Sequence, residues 1–159
     1  MELYRLNLHK NIRYTAIAGA DWSSIHATAA GLSDRDELLA VLDGKYLVHS
    51  DDDGPHAADP LPLPLMAGIQ KSGAPAEARA EQESAIGVSL DVATEGLELP
   101  ACAYLFAQGR YEDTASVHAL LDWFIKEAWW QREASEGPYY VRWVREDGKT
   151  ALQVLRKKV

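Results

Sequence analysis

The chain has 159 residues, of which 47% are hydrophobic and 25% charged, and its net charge is −8. That length suits one domain, residues 1–159, with a substantial core, and the composition excludes a wholly disordered chain. The single cysteine excludes an intrachain disulfide, and no apolar run reaches the roughly 18–20 residues that a membrane span needs.

The charge is unevenly distributed along the chain. Residues 50–102 carry ten carboxylates and two basic side chains, whereas residues 138–159 carry six basic and two acidic side chains. An acidic surface repels nucleic acid and membrane phosphates and accelerates encounters with basic proteins. The first residues also lack the apolar stretch of a signal peptide. We therefore expect a cytoplasmic protein that binds neither nucleic acid nor membranes directly.

Alternating apolar residues predict a first strand over residues 2–9 and an antiparallel hairpin partner over residues 11–19. Asp21 is a candidate N-cap for a short helix that Gly31 would end. Residues 33–44 carry Ser33 as a candidate N-cap, acids in the first turn and a leucine-rich face, which predicts a second helix. Residues 45–50 then predict a short strand.

Five of the seven prolines fall between positions 55 and 75. Proline fixes its own φ and removes a backbone donor, so we expect a long Pro- and Asp-rich loop over about residues 50–73. A short helix is predicted over residues 75–84, and a strand over residues 85–92. Residues 97–109 predict another strand, in which Pro100 marks an edge, a bend or a strand start.

Residues 112–135 give the clearest helical pattern, because apolar residues recur every three or four positions. Residues 139–158 predict a closing hairpin around an Asp147-Gly148 turn. Together these elements predict an α+β fold in which a mostly antiparallel sheet packs against one long C-terminal helix and two or three shorter helices.

The stretch from residue 48 to 60 holds two histidines and four aspartates, which raises the question of a metal site. An EF-hand alignment places His49 where a carboxylate is needed and Pro60 where the bidentate glutamate belongs. A transition-metal site built from His49, Asp51, Asp53 and His56 remains an alternative, because imidazole suits zinc or iron. We expect a solvated or partner-facing loop with no cofactor.

Other catalytic patterns are weak. Cys102 has apolar neighbours, Ser23 and Ser24 lie near His26 without a nucleophile elbow, and His118 lies one position off the stripe of the long helix. Phosphate-binding and zinc-protease motifs are absent from the sequence.

The aromatic residues give a different signal, since five tryptophans is a high count for this length. Trp123 and Trp130 are seven positions apart and so share a helical face, and tryptophan is a common anchor of protein interfaces. Two sets of residues are therefore expected to bind a partner: the acids Asp51, Asp52, Asp53 and Asp59, and the aromatic pair Trp123 and Trp130.

These patterns favour a small acidic protein that inhibits or regulates another protein by masking a basic or nucleic-acid-binding surface. Bacterial immunity proteins, antitoxins and phage-encoded inhibitors have this profile. Two alternatives stay open. One is a metal-assisted hydrolase or transferase that uses the histidines and aspartates of residues 49–56. The other is a structural protein that self-associates, for example as a homodimer, through its aromatic face.

Overall fold

A computed structural model describes residues 1–71 and 96–159, which form ten strands and three helices. The helices are α1 (Trp22–Ala30), α2 (Gly44–Leu47) and α3 (Thr114–Trp130). The strands are β1 (Tyr4–Asn7), β2 (Ile12–Ala16), β3 (Glu37–Leu42), β4 (Val48–Asp51), β5 (Gly54–Ala57), β6 (Met66–Gln70), β7 (Leu97–Leu99), β8 (Ala103–Arg110), β9 (Ser135–Glu146) and β10 (Lys149–Lys158). The predicted α+β class with a mostly antiparallel sheet is confirmed.

Eight strands form one antiparallel sheet in the order β1-β8-β10-β9-β3-β6-β2-β7, and β4 pairs with β5 in a separate hairpin. The two edge strands are β1 and β7. Only four residues connect β1 to β2, which lies beside β7, and only three connect β7 to β8, which lies beside β1. Eight strands laid flat would span about 34 Å, and so short a connection reaches only about 14 Å. The sheet must therefore curl until its two edges come close together.

Curling gives the sheet two cores. On the face that α3 covers, the helix buries six side chains: Val117, Leu120, Leu121, Phe124, Ile125 and Ala128. They pack against Leu38, Val141 and Trp143 from the middle of the sheet. The concave face encloses a second cluster that contains Tyr14, Leu39, Leu99, Tyr104 and Leu155. We call these the helix-side core and the inner core.

The helix predicted over residues 33–44 is wrong, because Glu37–Leu42 is strand β3. Its last five residues are all buried, since β3 lies between β9 and β6 with one core on each face. A strand buried on both faces has a continuous apolar run that resembles a buried helix. Ser33 and Asp36 form a turn and do not cap a helix, because the Ser33 amide donates to Asp36 Oδ2 over 3.0 Å.

The predicted hairpin of the first two strands is also wrong. Strand β1 pairs with β8, and β2 pairs with β6 and β7, so their partners lie elsewhere in the chain. Alternation identified both segments as strands, but it carries no information about which strand lies beside which.

The predicted loop over residues 50–73 contains more regular structure than expected, namely the β4–β5 hairpin and strand β6. Pro55 is tolerated because β5 belongs to a two-stranded ribbon, where few backbone donors are needed. Residues 45–50, predicted as a strand, divide between the single turn of α2 and strand β4. The helix predicted over residues 75–84 and the strand over 85–92 lie outside the described residues.

Three predictions that depend only on neighbouring residues agree with the structure. Asp21 caps α1 and accepts a hydrogen bond from the Ser24 amide over 2.8 Å. Pro100 separates β7 from β8, and Asp147 and Gly148 form the closing turn with φ values of 50° and 74°.

Helix α3 has 17 residues and is followed by β9 and β10, so it is not the C-terminal element of the fold.

Candidate functional site

The segment from Gly54 to Leu61 runs along α3 in the opposite direction. Gly54 lies against the Trp129 ring near the end of the helix, and the Ala57 amide donates to Asp122 Oδ1 over 3.0 Å near its middle. Residues 59–61 then face the first turns of α3 across a cavity. Fourteen helical residues separate the two ends, which is about 20 Å. The helix therefore has one candidate site at each end.

At the C-terminal end, the turn of the β4–β5 hairpin carries three exposed aspartates, and we call Asp51–Gly54 the acidic tip. Asp51 fixes its shape, because its Oδ1 accepts the Asp53 amide over 2.8 Å and its Oδ2 lies 3.1 Å from His56 Nε2. Gly54 has a φ of 107°, in the region that favours glycine. Asp52 and Asp53 are left facing solvent.

Two tryptophans stand beside the acidic tip. Trp129 is 56% exposed and Trp130 76% exposed. A Cβ atom on Gly54 would lie 3.3 Å from the Trp129 ring, so the tip and this ring are in direct contact. Trp130 does not contact Gly54 but lines one surface pocket with Trp129, Arg132 and Glu133. We call the acidic tip together with Trp129 and Trp130 the acidic–aromatic surface.

The predicted aromatic pair is only partly brought to this surface. Trp130 is there, but Trp123 is half-buried against the helix-side core. Trp129 lies one helical turn after the buried Ile125, yet its ring is exposed. The last buried residue of α3 is Ala128, so the ring at position 129 meets the hairpin instead of the sheet. The sequence carries no signal for this contact, because the positive φ of the turn already accounts for Gly54.

Asp122 anchors the hairpin to the helix. It accepts the Ala57 amide and forms a 2.7 Å ion pair with Lys126 Nζ. Partial burial on its own would raise the pKa of Asp122, but the hydrogen bonds from Lys126 and Ala57 and the nearby positive charge outweigh it and leave the pKa lowered. The ionised carboxylate is therefore the form that holds the hairpin in place.

Asp122→Ala should destabilise the protein by about 1–3 kcal/mol, because it leaves the amide of the buried Ala57 without an acceptor. Asp122→Asn keeps an oxygen for that amide and should cost less. Since the folded-state pKa is lowered, the contribution of Asp122 is present above its unfolded pKa and is lost as the pH falls through the folded value. Urea unfolding of the wild type and the two variants from pH 7 to pH 3 measures these free energies of unfolding. The prediction is wrong if Asp122→Ala and Asp122→Asn lower the free energy of unfolding equally.

The metal hypothesis gains no geometric support. His49 and His56 are opposite each other in the hairpin, with ring centroids 6.1 Å apart, but His56 Nε2 already faces Asp51. Within residues 1–71 and 96–159, no group of three or more His, Cys, Asp or Glu side chains is arranged to hold a metal ion.

At the other end of α3 lies a cavity of about 680 Å³ between the first turns of α1 and α3, which we call the helix-end cavity. Trp22 and His26 form one wall, Thr114 and His118 another, and residues 59–61 a third. Asp59, grouped with the acidic tip by its sequence position, thus lies in the wall of this cavity.

Side chains of this wall are held by defined contacts. The Trp22 indole Nε1 donates to the Pro62 carbonyl over 2.8 Å, and its ring stacks on His26 with centroids 5.8 Å apart. His26 Nδ1 lies 2.6 Å from the Tyr111 hydroxyl. Burial lowers the pKa of His26 although the charge of Asp113 opposes this, and burial followed by Asp113 raises the pKa of Tyr111. The pair is therefore neutral at pH 7.

The weak catalytic candidates are separated. His26 bonds to Tyr111, while Ser24 belongs to the cap of α1. The Nε2 atom of His118 is buried without a hydrogen-bond partner. Cys102 is half-buried and packs against the inner core, as expected for a small hydrophobic residue.

The comparisons with family models and with curated proteins assign no family to this chain. In the ranges that the structure describes, no helix is long and apolar enough to cross a membrane. No family model matches the chain, and no curated protein is significantly similar to it.

Proposed function

We propose that this protein is a small binding module that inhibits or regulates a partner protein, with the acidic–aromatic surface covering a basic or nucleic-acid-binding face of that partner. The observation that carries the proposal is the direct packing of the acidic tip on Trp129, next to the exposed ring of Trp130.

Tryptophan supplies much of the binding energy at interfaces, because its large ring is desolvated on contact. Carboxylates around such an anchor steer a basic partner toward it and reject acidic surfaces. The acidic–aromatic surface combines both features within a few residues. A cytoplasmic inhibitor of the immunity-protein, antitoxin or phage-inhibitor kind would work in this way.

The surface is also held in shape before any partner arrives. Asp51 fixes the turn, Asp122 ties the hairpin to α3, and Trp129 rests on Gly54. A pre-formed surface loses less conformational entropy on binding than a flexible one. This rigidity favours a docking role for the hairpin over that of a passive solvated loop.

Binding should fail when either half of the surface is removed. We expect Trp129→Ala with Trp130→Ala to weaken partner binding by about 30-fold or more, since a hot-spot residue contributes at least about 2 kcal/mol. Asp52→Asn with Asp53→Asn should mainly slow association and flatten its dependence on salt.

Quantitative affinity enrichment from the native lysate measures this. Tyr4→Ala is the control, because Tyr4 is an aromatic ring at 48% exposure that packs on Phe106, on the face of the sheet opposite α3. A partner must be retained by wild type and control, lost from the double tryptophan variant and recovered in smaller amount with the double asparagine variant, and its purified form must then show the kinetic changes. A partner set that is identical for all four proteins would remove this surface from the function.

Self-association through the same surface is the competing binding mode. It predicts a mass in solution that rises with protein concentration and falls to the monomer value in the Trp129→Ala, Trp130→Ala protein. Sedimentation over a range of concentrations separates the two modes.

A further inference from the structure

We propose that the helix-end cavity is a binding site for a small organic amine, a ligand that joins a cationic nitrogen to an apolar or aromatic body. This site lies about 20 Å from the acidic–aromatic surface along α3 and does not depend on the proposed docking function.

The size and lining of the cavity suit a small ligand. Its volume of about 680 Å³ falls in the range of ligand pockets, which are mostly apolar with a few polar groups. Trp22, Pro60, Leu61 and Ala115 provide apolar surface, and Ser23 and Thr114 provide hydroxyl groups. An apolar body of one ring fits among these side chains.

The electrostatics favour a cation. Among the lining residues that the structure describes, Asp59 is the only carboxylate, and neither lysine nor arginine is present. His26 is itself neutral at pH 7, so it offers no opposing charge.

Two helix N-termini also face the cavity, and their partial positive charges would favour an anion. Both are already satisfied by carboxylates. Asp21 caps α1 and Asp113 caps α3, and each accepts the amide of the third helical residue. The caps offset the helix dipoles, so among the described residues of the lining the carboxylate of Asp59 sets the sign of the charge.

The indole of Trp22 completes the site. The ring is half-buried, fixed by the Pro62 carbonyl and by stacking on His26, so it is a pre-formed wall. An indole face is the best aromatic partner of an ammonium group. Asp59 and Trp22 together would then hold the cationic nitrogen, and the apolar wall would hold its body.

Three probes of one shape and different charge test this site: benzylamine, benzyl alcohol and benzoate. The readouts are the NMR shifts of the Trp22 indole N–H and the His26 ring on titration into the full chain. We expect saturable shifts with benzylamine, weaker ones with benzyl alcohol and none with benzoate. Asp59→Asn should weaken benzylamine binding about fivefold.

Asp52→Asn is the matched control, because it removes an equally exposed aspartate at the other end of α3. It should leave benzylamine affinity unchanged. The proposal is overturned if benzoate binds as well as benzylamine, if Asp52→Asn weakens binding as much as Asp59→Asn, or if none of the probes shifts the Trp22 indole saturably. None of these outcomes bears on partner binding, which Trp129 and Trp130 test separately.

Discussion

Arg142→Ala should lower the free energy of unfolding by about 1.5–3 kcal/mol, since it leaves the partly buried carboxylate of Glu37 without its charged partner. Arg142 pairs with Glu37 across the sheet, and the two side chains are each only 15% exposed. The guanidinium also donates to the Tyr14 hydroxyl over 3.1 Å and to Gln153 Oε1 over 3.2 Å. The substitution therefore disturbs a network that crosses β2, β3, β9 and β10.

Two causes of this destabilisation can be separated: the loss of the ion pair and the loss of side-chain volume. Arg142→Met keeps most of the aliphatic stem, and combined with Glu37→Gln it leaves no unpaired charge in the network. We expect this double variant to be more stable than Arg142→Ala in urea unfolding at pH 7. Arg110→Ala is the control, because Arg110 lies on β8, two strands away in the same sheet, and its side chain is 72% exposed. If Arg142→Ala lowers the free energy of unfolding no more than Arg110→Ala does, the Arg142–Glu37 pair does not stabilise the sheet.

Features set by local hydrogen bonding could be predicted from the sequence. The caps of α1 and α3 and the Asp147-Gly148 turn each depend on residues within four positions of one another, and all three form as their residue types indicate. The buried stripe of α3 follows from spacing alone.

Features set by long-range packing could not be predicted. The run Leu38–Leu42 suits a buried helix as well as a buried strand, and only the placement of β3 between β9 and β6 decides between them. Strand β1 pairs with β8, nearly one hundred residues further along. A single sequence contains no local signal for such a partner.

The same division applies to the candidate sites. The three aspartates of the acidic tip were identifiable because they are consecutive, and a turn exposes them. The helix-end cavity was not identifiable, since its walls come from residues 22–26, 59–61 and 114–118. Asp59 lies in the wall of this cavity and not at the acidic tip, because β5 runs along α3 and carries the chain away from the tip.

Trp143→Ala should destabilise the protein by about 3–5 kcal/mol, the usual cost of removing a buried tryptophan side chain. Trp143 is fully buried in the helix-side core, opposite Leu38 on one neighbouring strand and Leu152 on the other. At this chain length, about 3 kcal/mol corresponds to a fall in Tm of roughly 6–12 °C. Thermal unfolding at one protein concentration measures it.

Trp143→Phe should cost much less than Trp143→Ala. The Nε1 atom of Trp143 is buried and has no hydrogen-bond partner among residues 1–71 and 96–159, so phenylalanine removes an unsatisfied donor while it keeps an aromatic ring. The ring also matters for the helix-end cavity, because Tyr111 packs edge-on against Trp143 at 6.2 Å and holds His26.

If Trp143→Ala admits water behind Tyr111, the desolvation that lowers the pKa of His26 is relieved, and the pKa should rise toward its ordinary value. An NMR titration of His26 in the alanine and phenylalanine variants reports this directly. An unchanged His26 titration in Trp143→Ala would mean that the core and the cavity are independent, and that the order of the cavity wall comes from Trp22 and Pro62 alone.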